Sequence, residues 1–252
     1  MAHIDLIRDQ FTHQAAAYAK AQSITNGEIL QHILRTVNPH RDDEVLDIAC
    51  GPGILTCAFA AKTKHVTGID LTPAMLDEAR RLQSEEHLEN VKWIEGDVNS
   101  LPFADASFTL VICRYSFHHF EDPFLVLKEM KRVCRPGGRV AVIDTAPARE
   151  KADAFNRMER LRDFSHMRAL PVEETVELFA KAGIAAPSVE TLRMAGDLNG
   201  LLQRSHCKPG DEERCRKIFE DSLVDDRIDM QPRRDGDNIL YAFPLSIYVS
   251  IA

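Results

Sequence analysis

Val45-Leu46-Asp47-Ile48-Ala49-Cys50-Gly51-Pro52-Gly53 is the stretch that decides the fold of this chain. Val45 to Ala49 reads as a buried strand, Cys50 to Gly53 as a tight turn, and the residues beyond as a helix. A turn of this kind needs small residues so that a ligand can approach the backbone, and the helix behind it offers free N–H groups. The dinucleotide fingerprint Gly-x-Gly-x-x-Gly does not fit. Counted from Gly51 and Gly53, the third glycine position holds Thr56; counted from Ala49 and Gly51, it holds Ile54. Asp47 ahead of the turn would also oppose a pyrophosphate, because two anions would face each other. It suits a ligand carrying an ammonium group.

Working outward, the same alternation recurs. Strand-like runs lie at Val66–Asp70, Val91–Ile94, Phe108–Cys113 and Arg139–Ile143. Between them sit helix starts. Thr72-Pro73 precedes Met75, Leu76, Ala79 and Leu82; Asp122-Pro123 precedes Phe124, Leu127 and Met130, and Pro136-Gly137-Gly138 is expected to end that helix. Strands alternating with helices predict a parallel, doubly wound α/β sheet. After Asp144 the pattern changes. Helices are expected over Arg149–Phe164, Pro171–Gly183 and Glu212–Leu223, and strands at Ser188–Leu192 and Leu245–Ile251. Phe155, Met158 and Leu161 share one helix face and read as packing of a lid. The expected organisation is one domain: a helical cover over residues 1–40, a core over 41–195, and an insert with a closing strand over 196–252.

Composition narrows the class. The chain has 252 residues, 44% of them apolar and 28% charged, with a formal net charge of −8. That is the balance of a globular protein, and an acidic chain disfavours a phosphate backbone as partner. The basic run Lys128, Lys131, Arg132, Arg135 and Arg139 reads as a solvated helix face. No apolar run reaches the roughly 18 residues of a membrane span, and Met1–Gln10 shows no signal-peptide core, so a cytoplasmic protein is expected. The six cysteines are scattered, without a Cys-x-x-Cys pair, which suits a reducing compartment and signals no metal site. Cys57, Cys113 and Cys134 are expected in the core, whereas Cys207 and Cys215 fall in a polar segment, the setting in which thiols are reactive.

Asp70 ends the second strand, where an acid binds a ribose diol in such sheets, and Asp97 ends the third on the same edge. With Asp47 they make three strand-end carboxylates around one crevice, able to hold an ammonium, a ribose and an adenine amino group. Asp47–Gly53, Asp70–Met75, Gly96-Asp97-Val98 with Leu101-Pro102-Phe103, and Leu127–Gly138 together resemble the class I S-adenosylmethionine-dependent methyltransferases, most closely the ubiquinone/menaquinone-biosynthesis group. The segment Arg162–Arg168 is similar to an uncharacterised bacterial branch of that group. The resemblance covers about residues 10–195 and implies a Rossmann-like sheet of seven strands. It also implies roles. Asp47 and the turn Ala49, Cys50, Gly51, Gly53 would hold the methionine end of S-adenosylmethionine, and Asp70 the ribose. Leu71 and Met75 would cover one face of adenine, Asp97 would take its amino group, and Val98 would lie beside the ring. Phe11–Tyr18 resembles the helix that closes over the cofactor, with Tyr18 near its carboxylate. Two departures stand out: Ala49 occupies a usual glycine position, which implies φ below zero or a slightly open turn, and Thr109 replaces a frequent Asp, a change expected to affect packing.

The reacting end follows the fourth strand. Methyl transfer from a sulfonium is an in-line displacement in which the protein mostly aligns the partners, and a base is needed only when the acceptor must lose a proton. Arg114 and Tyr115 would flank the cofactor, and His118 or His119 would touch the acceptor or act as base. The alternative is that these histidines fix the turn into the Asp122 helix. Asp163, His166 and Arg168 form a second polar group at a helix end, where either His166 or Arg168 binds an anionic or phenolate acceptor or the group caps the helix. The expected function is methyl transfer to a small-molecule acceptor. Two alternatives remain open, a fold member using the sulfonium for another reaction and a cofactor-binding protein without catalysis. The motifs leave the acceptor, the methylated atom and the oligomeric state open.

Overall fold

The computed structural model describes residues 2–20 and 27–252. Its sheet runs β3(Val91–Glu95), β2(His65–Asp70), β1(Glu44–Ile48), β4(Phe108–Arg114), β5(Cys134–Thr145), β8(Asn238–Ile251), β6(Ser188–Asp197), with the short β7(Arg233–Asp235) also paired to β8. The five strands from β3 to β5 are mutually parallel, and β8 is antiparallel to β5, β6 and β7. The seven expected strands are therefore present, with β7 as an eighth. β1 sits where the order reverses, β2 on one side and β4 on the other, so a crevice opens at their carboxyl ends.

Period-two alternation divides the strands between two cores. Leu46, Ile48, Val111, Cys113, Val140 and Val142 face the side covered by α5(Pro123–Val133) and α7(Val172–Lys181). Val45, Leu110, Ile112, Ala141 and Ile143 face α2(Gly27–Val37) and α3(Ile54–Ala60). The second helix after the turn, α4(Pro73–Glu85), starts at proline as expected, although the Thr72 side chain makes no capping bond. Asp122 does cap α5, accepting from the N–H groups of Phe124 and Leu125. That helix ends at Val133, and Pro136-Gly137-Gly138 belongs to the irregular start of β5.

A third core lies beyond the carboxyl edge. α6(Ala152–Arg162) brings Phe155 and Met158 against Leu198, Leu201 and Leu202 of α8(Leu198–Arg204), Phe219 of α9(Asp211–Asp221), and Tyr241 and Phe243 of β8. The lid reading of Phe155, Met158 and Leu161 holds. Two parts of this insert escaped the sequence. β6 continues to Asp197 through Gly196, because Tyr241 packs against it; a Cβ there would sit 2.5 Å from the phenol oxygen. β8 starts at Asn238 rather than Leu245 and carries Pro244 within its pairing. Over the crevice lies α1(His3–Lys20), packed on α4 and α8.

The basic run is a set of braces rather than a solvated face. Arg132 donates to the carbonyls of Leu101 and Phe103 and pairs with Glu129 and Asp105; Lys131 donates to the Gly183 carbonyl. Arg139 pairs with Asp43, whose other oxygen accepts from the Thr109 hydroxyl at 2.7 Å, so Thr109 does serve packing of the sheet. The cysteines are all unpaired, and Cys215, expected in a polar segment, is buried with its thiol pushed up to about 12 by burial. Among the described residues no helix is long and apolar enough to cross a membrane.

Trp93 is wedged over the crevice floor, its ring 2.5 Å from where a Gly68 Cβ would be and 2.6 Å from that of Gly53. Gly68→Ala is expected to destabilise the protein by about 1–3 kcal/mol, as overpacked cores do, read as a lowered urea midpoint with unchanged slope.

Candidate functional site

Two cavities meet at the carboxyl edge. The larger, about 1020 Å³, is lined by Asp47, Ala49, Cys50, Gly51, Asp70, Leu71, Met75, Asp97, Val98, Arg114 and Tyr115, with α1 contributing Phe11 and Tyr18. Thus nearly every residue expected to hold the nucleoside is gathered on one wall system; Gly53 sits behind it, as the residue before α3 with φ +78°. The second, about 640 Å³, lies under the insert and shares Phe11, Tyr18, Tyr115 and His119 with the first. Those four side chains form the junction.

The first cavity is acidic by construction. Asp47 is buried and accepts from the Thr56 hydroxyl at 2.6 Å; burial pushes its carboxyl up to about 7, against the lowering effects of that bond and of Arg114. Asp70 accepts from Gly51 N and Thr72 N, both at 2.8 Å, so it fixes the turn as well as facing the cavity; burial raises it too. Asp97 turns one oxygen to Asn99. Desolvated carboxylates of this kind are complementary to a cation and its hydroxyl donors. Burial also pushes the Tyr18 phenol up to about 12, keeping it a hydrogen-bond donor.

The turn itself corrects one expectation. Ala49 has φ +50°, not a negative value: it adopts the left-handed conformation of the glycine it replaces, and Gly51 follows at φ +54°. Cys50 N donating to the Ile69 carbonyl at 3.1 Å holds the turn against β2.

The second cavity carries a histidine cluster. The rings of His118, His119 and His166 lie within 4.3 to 6.3 Å of one another, centroid to centroid. His118 Nδ1 is 2.6 Å from Asp144 Oδ1, while Asp144 Oδ2 accepts from His118 N at 2.9 Å. Although burial opposes it, the Asp144 charge and hydrogen bond raise the His118 imidazole above its usual value. His119 is pushed down to about 4 by burial and by His118, and His166 well below the ordinary range by burial first. Of the three, His118 is the one whose charged form its surroundings favour.

His166 and Arg168 are not brought to the cavity as side chains. His166 Nε2 is 2.7 Å from Asn156 Oδ1, inside the packing between α6 and the segment after it. Arg168 turns outward to a bidentate pair with Glu174 at 2.6 and 3.0 Å. What this segment contributes is backbone: Met167 N and Arg168 N both donate to the His118 carbonyl at 3.0 Å. The Asp163 side chain accepts from Ser165 N and Oγ just past the helix, so it ties down the following turn rather than the helix's own carbonyls. Three charged residues of the second cavity were missed. Asp144 ends the fifth strand, and the rule that singled out Asp47, Asp70 and Asp97 would have found it. Arg162 and Arg204 carried no local signal, because only the folding of the insert turns them inward. At the surface, Asp9, His13 and His206 bring three ligating groups within 4.8 Å of one another, which cysteine spacing could not reveal.

Residues 46–142 match the family model described as a methyltransferase domain. The chain is 31% identical over 206 residues to the uncharacterised methyltransferase YcgJ of Bacillus subtilis, covering 81% of each chain. This chain belongs to the class I S-adenosylmethionine-dependent methyltransferases. It is also similar to demethylmenaquinone methyltransferase of Staphylococcus aureus, 29% identical over 79% of this chain and 75% of that one. The crystal structure of YcgJ superposes with a TM-score of 0.82, covering 89% of this chain and 97% of its own, and shows the same fold at 24% identity. S-adenosylmethionine is the cofactor of this methyltransferase, and methyl transfer is its reaction. The acidic first cavity with its small-residue turn suits that cationic nucleoside.

Because Ala49 is at positive φ, a β-branched side chain there is strained. Ala49→Val is expected to lose about 1–3 kcal/mol of stability, whereas Ala49→Gly stays within about 0.5 kcal/mol, strain relief being offset by the freer unfolded chain. Thermal melts of the two variants side by side check this.

Proposed function

We propose that this methyltransferase acts on a small, planar acceptor that must lose a proton, such as a phenol or an acidic enol, seated in the second cavity with His118 as its base. The single observation that carries the reading is the Asp144–His118 pair: Nδ1 is engaged at 2.6 Å, which leaves Nε2 as the nitrogen that accepts a proton from an acceptor. Phe11, Tyr18, Tyr115, Tyr241 and Phe243 supply flat apolar walls suited to an aromatic ring. When bound, S-adenosylmethionine supplies an electrophilic methyl group on a sulfonium.

The protein's own part is then binding, orientation and proton handling. Asp47 and the backbone of Ala49, Cys50, Gly51 and Gly53 receive the methionine end, with Tyr18 donating toward its carboxylate. Asp70 receives the ribose hydroxyls, Leu71 and Met75 one face of adenine, and Asp97 with Val98 its amino edge. Arg114 and Tyr115 flank the sulfonium end; the Arg114 guanidinium lies 4.8 Å over the Tyr115 ring, which stiffens both. α1 roofs both cavities and excludes water. Asp144 holds the His118 tautomer and stabilises the imidazolium that forms. His119, held near-neutral, lines the junction without competing for the proton. The unpaired cysteines support a reducing, cytoplasmic setting.

Two experiments test the reading. Asp70→Ala removes an acceptor for two hydroxyl donors, and loss of a charged hydrogen bond is expected to weaken S-adenosylhomocysteine binding by roughly 10- to 150-fold. Unchanged affinity by calorimetry rejects the assignment. For the base, the readout is S-adenosylhomocysteine released with the best of a panel of simple hydroxyarenes. His118→Ala is expected to lower turnover by about 10²-fold or more while cofactor affinity stays within about threefold. As a base, His118 must be neutral, so activity rises with pH through its raised value, above the ordinary 6.5. Asp144→Asn removes the raising charge and moves that limb to lower pH. A limb that does not move hands the pair a purely structural role.

A further inference from the structure

The second cavity is asymmetric in charge. Its acids are committed: Asp144 accepts from His118 and from the N–H groups of His118 and Thr145, and Asp163 accepts from Ser165. Of its two arginines, Arg162 is committed as well, forming a two-point pair with the fully buried Glu159. Arg204 differs. Its guanidinium reaches the Tyr241 hydroxyl at 3.1 Å, and among the described residues no carboxylate lies within salt-bridge distance of it. Asp197, seven residues back along the chain, accepts from Gly200 N at 2.8 Å and from the Asn238 amide at 2.9 Å, both at Oδ1; its Oδ2 feels the Arg204 charge but forms no ion pair with it. Arg204 closes α8 and lines the cavity with Tyr241 and Phe243.

A half-buried guanidinium beside an aromatic wall, with one neutral partner, retains donors for a planar anion. We infer that Arg204, with the Tyr241 hydroxyl beside it, is the anion-binding subsite of the acceptor chamber, and that the acceptor is an aromatic hydroxy acid whose carboxylate docks there. The inference rests on the preceding reading of the chamber and makes it narrower. The carboxylate forms a two-point contact with the guanidinium fork, a geometry that a planar fork matches better than a compact ammonium. The aromatic walls then hold the ring, and its hydroxyl faces the His118 side of the same cavity. The anion clamp thus comes from the insert, not from Arg168, whose fork is spent on Glu174.

The test measures binding, not turnover. The protein saturated with S-adenosylhomocysteine is titrated with matched pairs: 3- and 4-hydroxybenzoate against 3- and 4-hydroxybenzyl alcohol, followed by ligand-observed NMR and calorimetry. The carboxylated member of at least one pair is expected to bind roughly 10-fold tighter or more. Arg204→Ala should bring the two members within about threefold, and Arg204→Lys should keep part of the preference. The melting temperature and S-adenosylhomocysteine affinity of both variants report whether the insert stays folded, and Tyr241→Phe provides a second, milder disturbance that should weaken the preference without abolishing it. Equal affinities in the wild-type protein, or a preference that survives Arg204→Ala, overturn the subsite while leaving the aromatic chamber and its base in place. If neither member of any pair binds, the chamber reading falls with it. A carboxylate preference that persists in His118→Ala separates the clamp from the base.

Discussion

Everything at this site depends on β1 pairing in parallel with β2 on one side and β4 on the other. The chain leaves β1 toward β2 and β3 on one side and returns from β3 to β4 on the other, so no connection covers the carboxyl end of β1 and a crevice opens there. Within that constraint the sheet edge assembles its chemistry by simple repetition. Asp47, Asp70, Asp97 and Asp144 all lie at or just beyond the ends of parallel strands, and Arg114 ends another. Trp93 closes the floor beneath the turn, which is why Gly53 and Gly68 lack side chains.

The four acids share a position in the fold but differ in task, and the difference is set by what each meets. Asp70 is tied to the turn by two backbone N–H groups and so couples the shape of the turn to whatever its outer lone pairs receive. Asp47 has one hydroxyl partner in a buried place, and burial pushes its carboxyl up to about 7. Asp144 meets an imidazole, and its charge separates one histidine from two neighbours that burial keeps neutral. Within a cluster of three histidines the surroundings therefore favour the charged form at one ring only. Backbone donors from Met167 and Arg168 to the His118 carbonyl fix that ring from behind, without their side chains entering the cavity.

The insert gives the cavity its second half. It is built as a third apolar core around Phe155, Met158, Leu201 and Phe219, independent of the two cores that flank the sheet. Such an addition can change acceptor shape and charge without altering the cofactor wall, and it brings Arg204, Tyr241 and Phe243 to the edge of a crevice whose other residues belong to the central sheet.

What the sequence alone determined is local in origin. Strand-turn-helix order, strand-end acids and proline-led helix starts are written within a few residues of one another, so the α/β core, the acids gathered around one cavity and the class of cofactor were legible. So was the histidine pair after β4, because position at a strand end implies position at the edge. The tertiary structure decided whatever depends on contacts between distant segments. The sequence places the end of β6 at Leu192, short of Gly196, because the glycine's partner, the Tyr241 ring, is remote in sequence. Ala49 was expected at negative φ because local sterics favour it, yet the turn between β1 and α3 imposes +50°. Arg168 and Arg204 look alike in sequence; only the fold gives one a glutamate and the other a cavity. A side chain's type is local, but its partner is set by packing, and at this site the partner decides the role.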